Sequence, residues 1–133
     1  MSKKSAPVQV HEWGNALFSR TEPVTEDEVR TLWADDASMI MNGQVKCAGI
    51  PALVKHFEEL RAKLKRAQVQ LPYLITIATG NEIAARYIID IEHTDGTKDL
   101  VHVGAFFKLA GGKIRSMDEV AWFEKKEIAL DKH

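Results

Sequence analysis

Alternation governs the second half of this chain. From Gln68 onward, apolar and polar residues change places at every second position, the period of a strand with one buried face. The predicted strands are Gln68 to Ala78, Ile83 to His93, Thr97 to Leu109 and Lys113 to Phe123. Gly80-Asn81, Thr94-Asp95-Gly96-Thr97 and Gly111-Gly112 separate them, and the last two contain dipeptides suited to tight turns at positive φ. The first half is mainly helical. Val8, Val10, Trp13, Ala16, Leu17 and Phe18 form a stripe over Val8 to Arg20, which Thr21-Glu22-Pro23 ends. Thr25-Glu26-Asp27-Glu28 has the spacing of a capping box; its short helix carries Val29, Leu32 and Trp33 and stops near Ala34-Asp35-Asp36. Ala37 to Lys46 is a strand turning at Asn42-Gly43. Pro51 opens the clearest helix, with Leu53, Phe57, Leu60 and Leu64 on one face and Lys63, Lys65 and Arg66 in its last turn. The order predicts an α+β domain, two to three N-terminal helices packed on one curved, mostly antiparallel sheet.

Composition narrows the function classes. The 133 residues are enough for one domain, read as residues 8–125 between a loose tail at 1–7 and a C-terminal tail at 126–133. A formal net charge of -1 offers no electrostatic footprint for nucleic acid or an anionic membrane, so neither is an expected partner. No apolar run is long enough to span a bilayer, and no signal-peptide core follows the N-terminus. The lone Cys47 excludes an internal disulfide and suits a reducing, cytoplasmic location. No three ligands stand at metal spacing, so neither metal nor cofactor is expected. Asp35-Asp36 reads as a turn and cap, His56 as a rim residue, and His11, His93 and His133 as loop or terminal residues.

Counting strand registers outward from the turns gives two faces. If Thr94 faces Thr97, Tyr87 lies opposite Gly104 and Ile89 opposite His102. If Ala110 faces Lys113, Gly104 lies opposite Glu119, Phe106 opposite Met117 and His102 opposite Ala121. One face then carries Tyr87, Ile89, His102, Gly104, Phe106, Met117, Glu119 and Phe123. The other carries Val101, Val103, Ala105, Phe107 and Leu109 with Ile114, Ser116, Asp118, Val120 and Trp122, apolar enough to predict a homodimer through the convex sheet. A one-residue bulge would invert such an assignment.

Leu32-Trp33-Ala34-Asp35-Asp36-Ala37, then Gly49-Ile50-Pro51-Ala52-Leu53, then Phe106 to Ile114 through the paired glycines resemble the nuclear transport factor 2-like superfamily. More narrowly they are similar to its SnoaL-like and ketosteroid-isomerase-like branch, from about Trp13 to Phe123. The resemblance implies a cone-shaped, cystatin-like roll enclosing a deep apolar pocket, usually in a dimer. It also sets the isomerase base at Met41, the helix tyrosine at or beside Leu17 and the acidic donor at Gly104, so all three isomerase groups are missing. The face containing Gly104 becomes the pocket.

Tyr87, His102 and Glu119 are therefore the expected catalytic set. Opposed side chains lie roughly 5 Å apart at Cβ and diagonal ones roughly 7–8 Å. An apolar surround raises a carboxyl pKa, and a paired histidine holds a proton near neutrality. Trp13, Leu17, Phe18, Trp33, Met39, Met41, Phe57, Leu60, Ile89, Gly104, Phe106, Met117 and Phe123 are expected to line the pocket, for a small hydrophobic ligand. Two functions follow: general acid–base catalysis by an isomerase, cyclase or hydrolase, or a non-catalytic ligand-binding or dimerisation module.

Overall fold

A computed structural model describes residues 4–124. Its helices are α1 (Ala6–Ala16), extended by one 3-10 turn at Leu17–Ser19, then α2 (Glu26–Leu32) and α3 (Ile50–Lys63). Its strands are β1 (Trp33–Met41), β2 (Gln44–Ala48), β3 (Leu64–Val69), β4 (Ile75–Thr79), β5 (Glu82–His93), β6 (Lys98–Ala110) and β7 (Lys113–Phe123). They form one curled sheet in the order β2-β1-β7-β6-β5-β3, with β4 also paired to β5. Only β1 and β7 run parallel, so the sheet is mixed, and three helices close its concave side. The residues expected to be a loose N-terminal tail are in part structured: the Ser5 side chain caps α1 and Pro7 is buried. Residues 1–3 and the C-terminal tail expected at 126–133 lie outside the described residues.

Local signals explain several boundaries. The capping box forms, with the Thr25 side chain accepting from Glu28 N–H and the Glu28 carboxylate accepting from Thr25 N–H. Asn42 and Gly43 take φ of 49° and 81°, which lets β1 turn tightly into β2. β1 begins earlier than expected, at Trp33, because the backbone of Asp35 and Asp36 passes through an irregular stretch of the β1–β7 pair instead of a turn. Arg30 and Arg115 lie beside those carboxylates as exposed ion pairs. The strand expected from Gln68 to Ala78 is two strands separated at 70–74, where Pro72 cannot donate to a ladder.

The central strand β6 carries the main correction. Glu92 pairs with Lys98 rather than two residues closing the turn, because Asp95 Oδ1 accepts from both the N–H and the hydroxyl of Thr97 and widens the loop. Tyr87 consequently faces Val103, and Gly104 faces Arg86. The Gly111-Gly112 turn forms as expected, and Ala110 faces Lys113. A bulge follows, however, and from Lys108–Ser116 onward the pairing is offset by one residue, so Ala105 faces Glu119 and His102 faces Trp122. The extra residue of the bulge is Arg115 on β7. β5, and β7 beyond the bulge, keep their expected faces while β6 turns over. Val101, Val103, Ala105 and Phe107 are buried in the core, and His102, Gly104 and Phe106 stand on the outer face. Ile114, expected outside, is buried because it precedes the bulge.

Candidate functional site

The concave side holds a polar cluster within an apolar core. Tyr87 comes from the middle of β5 and Glu119 from β7, with β6 between them. The intervening β6 residues are Val103 and Ala105, small enough for the Tyr87 side chain to cross. Its hydroxyl donates to Glu119 Oε2. Tyr87 is 0% exposed and Glu119 6%, yet no lysine or arginine forms an ion pair with Glu119 among the described residues. Burial raises the Glu119 carboxyl above the ordinary carboxylate range, against the opposing pull of the Tyr87 hydrogen bond. The Tyr87 phenol is also pushed up, by burial and then by the nearby carboxylate.

Two residues not assigned to the site complete the cluster. His11 is buried on α1, beside Pro7 and Val10, rather than in a loop. Burial lowers its pKa to about 3, so the ring is neutral. Its Nδ1 lies 2.6 Å from the Tyr73 hydroxyl, whose pKa is raised by burial and by Glu119. The neutral ring and the neutral phenol share one hydrogen bond, whose direction follows the imidazole tautomer. The rings of Tyr73 and Tyr87 lie 5.2 Å apart, and those of His11 and Tyr87 4.7 Å apart. Asn15, one turn beyond His11, fixes α1 to the sheet: its side chain donates to Val69 carbonyl and accepts from Val69 N–H. Pro72 inside an alternating run was the signal for Tyr73, since a proline there interrupts the ladder between β3 and β4, in the segment that carries Tyr73.

The expected trio is thus divided. Tyr87 and Glu119 meet, whereas His102 lies across the sheet, bonded to Glu124 and stacked on Trp122. Gly104 does not open into the interior; the Arg86 side chain passes over it, and Arg86 sits 5.2 Å above the Trp122 ring. Phe106, expected in the pocket wall, is 61% exposed. Among the other expected wall residues, Leu17, Trp33, Met39 and Met117 belong to the buried core, and Trp13, Phe57 and Ile89 pack against it. Phe18, Met41 and Leu60 are half-buried, and Phe123 is exposed at the end of β7. Two surface cavities, about 290 and 490 Å³, are lined by outer-face and sheet-edge residues; neither includes Tyr87 or Glu119. Among the described residues, no three His, Cys, Asp or Glu side chains gather as a metal site, and no helix is long and apolar enough to cross a membrane.

Comparison with known proteins settles the family. The SnoaL-like domain matches residues 15–117. The chain belongs to the SnoaL-like family. No curated protein matches its sequence. Among solved structures, this SnoaL-like chain is similar to an NTF2-like protein of unknown function from Exiguobacterium sp. 255-15. The TM-score is 0.72 at 20% identity, over 89% of this chain and 98% of that one. IdmH of Streptomyces antibioticus, a candidate polyketide cyclase, superposes with a TM-score of 0.69 at 13% identity, covering 87% and 88%. A Catenulispora acidiphila DSM 44928 protein with a ketosteroid isomerase-like fold, solved with trimethylamine, gives 0.65 at 13%, covering 90% and 86%. At these identities the likeness is one of fold.

Proposed function

We propose that this SnoaL-like chain is a general acid–base enzyme, an isomerase, cyclase or hydrolase of a small, largely apolar molecule bearing a carbonyl or epoxide oxygen. One observation carries the reading: Glu119 is a buried carboxyl with a phenol for a partner and no counter-charge among the described residues. Desolvating a carboxylate without pairing it is costly, and such groups concentrate where proton transfer needs a raised pKa. Glu119 also registers beside Met41 across the parallel β1–β7 pair, where the family resemblance sets an isomerase base. For a ketone, Glu119 Oε1 takes the proton from the carbon beside the carbonyl. The C–H electron pair forms the enolate double bond, and the same carboxyl returns the proton at the original or a conjugated carbon. Tyr87 holds Oε2 and so orients the other oxygen. The test is exchange of the α-protons of β-tetralone in D₂O, followed by NMR. Catalysis by the wild type and its loss in Glu119→Gln support the reading; equal rates in both proteins, or none in either, overturn it.

The near-complete burial of Tyr87 and Glu119 favours the second reading, a non-catalytic binding or dimerisation module. Both readings include pairing of two copies through the outer face, where Ile77, Phe106, Val120 and Trp122 are at least half exposed or nearly so. Native mass spectrometry is expected to give a dimer that Phe106→Asp with Val120→Asp converts to a folded monomer. A wild-type monomer at micromolar concentration contradicts it.

A further inference from the structure

Tyr73 stands apart from the rest of the cluster in how it is held. His11, Tyr87 and Glu119 project from regular elements, whereas Tyr73 comes from the 70–74 segment between β3 and β4. β3 pairs with β5 from Ile89 to His93, and β4 pairs with it from Glu82 to Arg86. The gap falls at Tyr87 and Ile88. The segment bridges it with a hydrogen bond at each end, Gln70 N–H to Ile88 carbonyl and Leu74 N–H to Arg86 carbonyl, both 2.8 Å. Between those ties Leu71 is half-buried and Pro72 exposed, and apart from Tyr73 the segment's side-chain bond is the exposed one from Gln70 to Asp90.

The Tyr73 side chain itself is placed as a bound molecule would be. Its ring lies over Tyr87 at 5.2 Å with a 30° tilt, its hydroxyl meets His11 at 2.6 Å, and its phenol feels the Glu119 charge. These are a stacking surface, a hydrogen-bonding imidazole and a carboxyl around one aromatic ring. The same ring shields a cluster of which His11 and Glu119 retain only 8% and 6% exposure. Tyr87 and Glu119 are 0% and 6% exposed and line neither surface cavity, as expected if the seat beside them is already occupied.

We infer that Tyr73 is an internal occupant of the ligand seat, and that the ligand is a hydroxyaryl or comparably flat enol-bearing ring that displaces it. This deepens the proposed function, because it takes the Glu119 site as the place of action. Binding then has two steps: the 70–74 segment swings out between its two ties, and the ligand ring stacks on Tyr87 with its hydroxyl on His11 Nδ1. Closure by Tyr73 lowers the apparent affinity by the fraction of time the seat is open. Removing the plug must therefore tighten binding, the opposite of removing a wall.

The test uses p-cresol, the tyrosine side chain as a free molecule, with toluene as the version lacking the hydroxyl, by isothermal titration on the full chain. Tyr73→Phe loses the bond to His11 and is expected to bind p-cresol about fivefold more tightly than wild type, the effect of one ordinary hydrogen bond. Tyr73→Ala vacates the seat and is expected to gain at least tenfold, with p-cresol preferred to toluene. Adding His11→Leu to Tyr73→Ala is expected to abolish that preference. Equal or weaker p-cresol binding in both Tyr73 variants overturns the inference, as does absence of binding in all of them. If Tyr73→Ala fails to fold by circular dichroism, the conservative Tyr73→Phe decides. Glu119→Gln separates the two claims: failure of the exchange assay with tightened p-cresol binding retires the enzyme and keeps the plug, and the reverse pattern retires only the plug.

Discussion

Glu119→Gln is expected to make the protein more stable than wild type above neutrality while lowering proton transfer by about 10²- to 10⁴-fold, the usual worth of a positioned acid–base group. Glutamine keeps the shape and still accepts from the Tyr87 hydroxyl, so packing is preserved. What it removes is ionisation. The folded-state pKa of Glu119 lies above its ordinary 4.5, so the folded protein holds that proton more tightly than the unfolded chain. Its contribution is fully present below pH 4.5 and is lost as pH rises through the raised value, at about 1.4 kcal/mol per pH unit within that window. Urea midpoints of the two proteins should coincide near pH 4 and separate in favour of the variant by pH 8. A variant less stable than wild type at pH 8 would mean that the ionised carboxylate is a structural asset, and the functional reading would lose its physical basis. Gain of stability with loss of activity is the signature of a group kept at a cost for chemistry.

His11 gives the second large effect, with the opposite sign. Its folded-state pKa is depressed from 6.5 to about 3 by burial. Below pH 6.5 the unfolded chain takes up a proton that the folded ring refuses. Stability is therefore expected to fall with pH by about 1.4 kcal/mol per unit from pH 6.5 toward 3, roughly 2 kcal/mol between 6.5 and 5. His11→Gln can still accept from the Tyr73 hydroxyl and cannot be charged. The variant should hold its urea midpoint through this range, apart from the Glu119 contribution common to both proteins. If wild type and variant decline in parallel from pH 6.5 to 5, His11 is protonated in the folded state and the neutral His11–Tyr73 pair is wrong.

Much of this architecture was legible because local chemistry and global fold agree. The Thr25–Glu28 box, Asn42-Gly43 and Gly111-Gly112 each specify a backbone shape with few alternatives, and each forms. Tyr87 and Glu119 came out on one face because the two one-residue offsets at the ends of β6 cancel between β5 and β7. β6 was not legible because its face depends on counting through two connections. Asp95 widened one by binding Thr97, and a bulge beyond the Gly-Gly turn shifted the other. A side-chain period of two converts each single-residue error into a reversed face, which moved His102 from the site to the outer surface. His11, expected in a loop, lies on α1, and its meeting with Tyr73, sixty-two positions away, is a tertiary contact that periodicity does not encode.

The charge state of Glu119 is the point on which the account stands. The most direct measurement is a ¹³C NMR titration of the side-chain carboxyl in protein labelled at glutamate Cδ, with Glu119→Gln assigning the resonance. The expected midpoint lies above the ordinary 4.5. A midpoint at or below 4.5 would show a stabilised carboxylate, and would contradict Glu119 as a proton carrier.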